Sequence, residues 1–167
     1  MSWALGLVAV AALAGLATWL MLGAVRRTAR RQQQGLPPLP ECPPPSTAPG
    51  ARPQLEADRA RYLGTTYAPS TVRRFSGYGL LGRGVVGLTL GPAGVRVDRG
   101  GAGAWCIPAE ALRGAEVATH HAGKAVYAPR VLVVDWQLGG TGLRSGFVLD
   151  EAAAAAWASR LDTLVPR

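Results

Sequence analysis

Apolar and polar positions divide the chain into three unlike stretches. Residues 2–25 (SWALGLVAVAALAGLATWLMLGAV) hold no charged side chain. As a helix this run is long enough to cross a bilayer core of ~30 Å, which takes ~20 residues. Residues 32–53 hold eight prolines, too many for a helix or a central strand. From Gln54 onward the apolar residues recur in short runs broken by Gly and Pro turns, which predicts β-strands. Strands are expected over 61–67, 85–90, 95–98, 104–107, 115–120, 130–138 and 143–149, with one helical turn over 108–113. Asp150 then reads as an N-cap, opening a helix over 152–165 whose apolar stripe is Trp157, Leu161, Leu164 and Val165. The fold expected is mainly β: a seven-stranded open antiparallel barrel capped by a C-terminal α-helix and preceded by one transmembrane α-helix.

The polar residues around the first run give it a direction. Met1 and Ser2 offer no side-chain charge before it, whereas Arg26, Arg27, Arg30 and Arg31 follow it. A cleaved leader carries its positive charge in front. Arginines behind the run form a positive-inside flank instead, which predicts a single-pass protein of the cell membrane with its N-terminus outside and its C-terminal domain in the cytoplasm. Trp3 and Trp19 lie near the two ends, where aromatic rings favour the interface. The small-xxx-small pairs Ala11/Gly15 and Ala14/Thr18 leave homo-oligomerisation open. The organisation expected is a transmembrane helix over 1–25, a basic and Pro-rich linker over 26–53, and a cytoplasmic domain over 54–167. A polyproline II linker of that length, at ~3.1 Å per residue, reaches roughly 40–65 Å and lifts the domain off the headgroups. Pro37-Pro38-Leu39-Pro40 within it also suits an aromatic docking groove, though a stiff spacer is the simpler reading.

The net charge of +8 invites a nucleic-acid partner, but its distribution argues against one. Five of the 18 basic residues and one of the 10 acidic ones precede Gln54, so half of the excess belongs to the membrane flank. No nucleic acid is expected. Cys42 and Cys106 are the only cysteines; their spacing makes neither a disulfide framework nor a zinc site, and a reducing compartment suits them.

The order of seven strands and a helix, with Trp157 in the helix, is that of the pleckstrin-homology (PH) architecture. More closely, the chain resembles small actinobacterial single-span membrane proteins with a bacterial PH-like domain, found beside pyrimidine-biosynthesis genes and labelled export, membrane or transporter proteins. Arg61-Tyr62-Leu63-Gly64-Thr65-Thr66, Gly82-Arg83-Gly84, Ile107-Pro108 with Leu112, Ala122-Gly123-Lys124, and 133–140 with Gly146-Phe147 carry the resemblance. It implies an architecture more than an activity. In PH domains the loop between the first two long strands often meets phosphoinositide headgroups through basic side chains. The resemblance thus makes Arg73, Arg74 and Arg83 candidate contacts for anionic lipid headgroups, each contributing ~1 kcal/mol near an anionic surface.

Other motifs carry less. Residues 77–82 match GxGxxG, but a dinucleotide fingerprint opens a helix, and here a strand follows; a flexible loop is expected. His120 and His121 are adjacent, so on a strand they point to opposite faces and do not share a metal; they read as a surface pair at a strand end. Ser70, Ser76, Ser145, Cys106 and Asp135 fall in no nucleophile pattern. No catalytic residue, cofactor or metal is expected, and no enzyme. The reading is a membrane-anchored, non-enzymatic adaptor or scaffold with a protein partner, bound by strand addition at the open barrel edge. The alternatives are an accessory component of membrane transport or export, and an anionic-lipid-sensing module.

Overall fold

The computed structural model describes residues 2–41, 54–125 and 130–166. The opening run is helical throughout: α1 spans Ser2–Gln33, 32 residues, and is long and apolar enough to cross a membrane. Leu7, Val8, Val10 and Leu13 in its first half are all more than 60 % exposed. At 1.5 Å per residue α1 is about 48 Å long, about three turns longer than a ~30 Å hydrocarbon core, and the excess falls in its basic last turns. Those turns carry Arg26, Arg27, Arg30 and Arg31, all exposed, and run into the segment assigned to the linker.

The domain is built on one long strand. β1 covers Leu55–Tyr67, starting six residues earlier than its pattern predicts. The first half, LEADRA, hides its alternation behind three charged side chains and a register shift between Ala57 and Ala60. A second irregularity lies between Tyr62 and Gly64, where Gly64 takes φ +111°. Such bulges sharpen the twist of a strand. They let β1 pair on one side with β3 (Gly84–Gly91) and on the other with β10 (Thr141–Leu149). The remaining long strands are β4 (Gly94–Asp98), β5 (Ala104–Pro108), β6 (Leu112–Ala118) and β9 (Arg130–Leu138). Their order is β5-β4-β3-β1-β10-β9-β6, antiparallel throughout, with short β2 (Arg74–Phe75) beside β1. β5 and β6, the two edges, are joined through a 3₁₀ turn at Ala109–Ala111, and there the barrel stays open.

Tyr62, Leu88, Leu90, Trp105, Leu132, Trp136 and Phe147 point inward from β1, β3, β5, β9 and β10 and are buried. α2 (Glu151–Asp162) closes one end. Its N-cap Asp150 accepts a 2.8 Å hydrogen bond from the Ala153 amide, and Ala154, Trp157 and Leu161 are buried against the barrel. The helix ends at Asp162, three residues before the predicted end.

The hydrophobic run of β9 buries both faces. Leu132 and Val134 enter the barrel, while Val131 and Val133 form a second cluster outside it with Leu63. A small hairpin, β7 (His120–His121) with β8 (Lys124–Ala125), folds against that outer surface. His120 is exposed, but His121 is fully buried, which corrects the surface-pair reading. Its ring lies over Gly146, where a Cβ would come within 2.3 Å of it, and Nε2 sits 3.1 Å from the Gly64 carbonyl oxygen.

One further expectation, that of the cysteines, is corrected. The GxGxxG segment opens no α-helix, as expected, and it packs on the domain. It forms a 3₁₀ turn at Gly77–Gly79, and Leu80 beyond it is buried in the core. The Leu80 carbonyl accepts from the Tyr62 hydroxyl at 2.8 Å and from the Thr65 amide at 3.1 Å, while Arg99 donates to the Gly79 carbonyl at 2.9 Å. Cys106, buried in β5, is disulfide-bonded. The chain's other cysteine, Cys42, lies outside the described residues.

Candidate functional site

The junction between α1 and the domain is the first place where the structure adds chemistry. Gln32 lies on the α1 stripe with Ala24 and Thr28, four residues apart, and this stripe faces the domain. Its side-chain oxygen accepts from the Ser76 amide and the Ser76 hydroxyl, each at 2.6 Å. Its side-chain nitrogen donates to the Arg74 carbonyl at 3.4 Å. The Tyr78 hydroxyl reaches the Leu36 and Pro37 carbonyls at 3.2 and 2.9 Å. Leu36 and Leu39 pack against the barrel core. The described part of the Pro-rich stretch is therefore docked on the domain instead of holding it away. A groove of about 290 Å³ runs between α1 and the loop, with Ala24, Val25 and Thr28 on one wall and Leu81 on the other.

The three arginines of that loop do not form one cluster. Arg73 lies over the Tyr67 ring at 4.6 Å, a cation–π contact. Arg74 is half-buried and donates to the Ala122 carbonyl, which fastens the β7–β8 hairpin to the loop. Arg83 turns to the outer face of the sheet, where its Nε donates to the Leu63 carbonyl at 3.2 Å. There it joins three residues that the sequence did not mark as site residues. Arg59, Arg61, Arg83 and Lys124 line a cleft of about 750 Å³, with Leu63 and Val148 among its apolar residues. Arg59 and Arg61 stand two apart on β1, a spacing that puts side chains on one face of a strand. That signal was readable, but the predicted strand began only at Arg61.

The candidate nucleophiles are occupied structurally. The Ser70 hydroxyl accepts from the Val72 and Arg73 amides at 3.2 and 2.9 Å. Ser145 is fully buried; it hydrogen-bonds Thr65 at 2.7 Å and accepts from Trp136 Nε1 at 3.0 Å. Tyr62 completes this chain through Thr65 at 2.6 Å, and burial raises its hydroxyl above the usual tyrosine range. Asp135 accepts from Arg144 at 2.7 Å; burial nevertheless holds its carboxyl above the usual range, with Arg144 opposing. Burial depresses the His121 imidazole, against the opposing effect of its hydrogen bond to the Gly64 carbonyl. Ser145, Thr65, Tyr62 and Trp136 make a satisfied polar network in a hydrophobic core, which specifies packing rather than reactivity.

A profile described as bacterial PH domain-like matches residues 36–162. No curated protein and no solved structure matches the chain. The matched span runs from the docked segment after α1 to the end of α2, and PH-like domains are typically non-catalytic binding modules. This chain therefore belongs to the bacterial PH domain-like family.

Proposed function

We propose that this protein is a membrane-anchored, non-enzymatic adaptor that holds its PH-like domain against the cytoplasmic face of the membrane and there binds a protein partner. The docking of the domain on the end of α1 carries this reading. Gln32 and Tyr78 tie the loop of residues 76–81 to the end of α1 and the segment after it, which supports a barrel held close to the membrane, with β5 and β6 at the edges of the sheet among the described residues. β6 is the better edge for strand addition, the mode in which a partner segment extends a sheet. Its Ala115 amide already bonds Asp162 of α2 at 3.2 Å, which leaves Glu116–Ala118 as the open stretch, with Val117 41 % exposed.

Site-specific photo-crosslinking in cells tests this. A crosslinker at Val117 is expected to capture a discrete partner, and one at Ala155, exposed on α2, is not. Equal capture at the two positions, or none at either, sinks the adaptor reading.

A further inference from the structure

The chain closes the barrel at both ends with segments from outside the sheet. α2 covers the end where β10 finishes. At the start of β10, the turn from β9 carries Gly139, and Leu36 and Pro37 cross over it. Leu36 and Leu39 pack against the core cluster, as do the neighbouring rings of Tyr67 and Tyr78. Exposure along this segment repeats every three residues: Leu36 is half-buried, Pro37 and Pro38 are exposed, and Leu39 is half-buried again. A period of three is that of polyproline II, so the two leucines share one face and the prolines between them turn outward. No residue from 36 to 41 is fully buried.

The domain grips this segment by its pattern more than by its identity. The Tyr78 hydroxyl shares its proton between the Leu36 and Pro37 carbonyls, at 3.2 and 2.9 Å. Any proline-rich segment offers such acceptors, because polyproline II makes no hydrogen bonds within itself. Pro37 needs the missing side chain of Gly139, where a Cβ would collide with its Cδ. Tyr78 holds a left-handed backbone, φ +53° and ψ 24°, a costly setting for a residue other than glycine and one that clusters at ligand clamps. Two half-buried leucines and one shared hydroxyl are a light hold. Losing the segment would nevertheless bare the apolar core beneath it, which favours refilling by another segment of the same pattern.

We propose that residues 36–39 are an exchangeable strap, seated in cis in a groove that takes an extended, proline-rich segment of a partner protein with leucines three residues apart. The partner segment carries little charge, since residues 34–40 have none and Tyr78 supplies a neutral donor. Covalent attachment makes the strap a strong competitor. A segment on a short tether acts at an effective concentration of about a millimolar, so the native chain admits a partner only at high local density or higher affinity. This surface lies apart from β6 and does not depend on strand addition there.

Fluorescence anisotropy of a labelled peptide of residues 34–41 (QGLPPLPE), added to the full chain in detergent micelles, tests this. Leu36→Ser with Leu39→Ser in the chain frees the groove and should bind the peptide about tenfold more tightly than the native chain, whose own strap competes. Tyr78→Phe added to that variant should weaken binding about fivefold, the loss expected for one neutral hydrogen bond. A peptide with the same two replacements, Leu36→Ser and Leu39→Ser, should not bind. Equal binding by the native chain and the double variant, no binding by either, or equal binding of the two peptides overturns the proposal. If the double variant fails to fold, Leu39→Ser alone is measured; a gain of about threefold supports the strap, and no gain overturns it. Crosslinking at Val117 reads a different surface, so a failure here leaves strand addition at β6 standing.

Discussion

The imidazole of His121 lies between the backbone of Gly64 and the bare Cα of Gly146, and this setting determines its charge. Its Nδ1 is buried without a hydrogen-bond partner, so protonation there would place a charge in an apolar pocket. Arg144 and His120 disfavour that charge further, after the larger effect of burial. The folded protein thus binds this proton more weakly than the unfolded chain, whose histidine titrates near 6.5. The sign follows from linkage: a depressed base contributes stability that is present above about pH 6.5 and is lost as pH falls below it. The slope is at most about 1.4 kcal/mol per pH unit for one proton. Asp135 acts with the opposite sign, because a raised carboxyl favours the folded state as pH falls, but in the window just above 3.8. Urea unfolding at pH 7, 6 and 5 should therefore show a falling midpoint in the native sequence and a flatter response in His121→Gln. Equal slopes in the two proteins would mean that His121 is not the titrating group.

At the scale of elements, α2 stabilises the barrel mainly through one side chain. Trp157 is 1 % exposed and lies with Ala154 and Leu161 on the face that plugs the open end. Truncating a buried tryptophan typically costs about 3–5 kcal/mol, the sum of lost burial and the cavity left behind. Trp157→Ala should lower stability by that amount in chemical denaturation, whereas Ala155→Ser on the exposed face should change it by less than about 0.5 kcal/mol. A small effect at Trp157 would show that the helix is only loosely attached. The stripe that makes this prediction was legible in sequence, as were the seven long strands and their order, since each rests on a local apolar period. What was not legible depended on distant pairing. The early start of β1 is hidden by charged residues on its outer face and by a bulge. The burial of His121 depends on Gly146 across the sheet, and the fixing of residues 77–82 depends on Tyr62 and Arg99. The candidate loop arginines went astray for the same reason. Their proximity in sequence does not say that Arg74 would bond the hairpin or that Arg83 would face Arg59 and Arg61.

For the whole molecule, two features bear on which side of the membrane the domain occupies, and they pull in opposite directions. Four arginines directly behind the apolar run of α1 favour retention on the cytoplasmic side. The disulfide at Cys106 favours an oxidising compartment, since cytosolic disulfides in mesophiles are usually transient. We give the arginines the greater weight, because orientation is decided during insertion, before the barrel folds, whereas a thiol follows the redox state of the compartment it reaches. The expected outcome is that a C-terminal tag resists protease added outside intact cells. A cleaved tag would place the domain outside the cell. The partner sought at Val117 would then have to be extracellular.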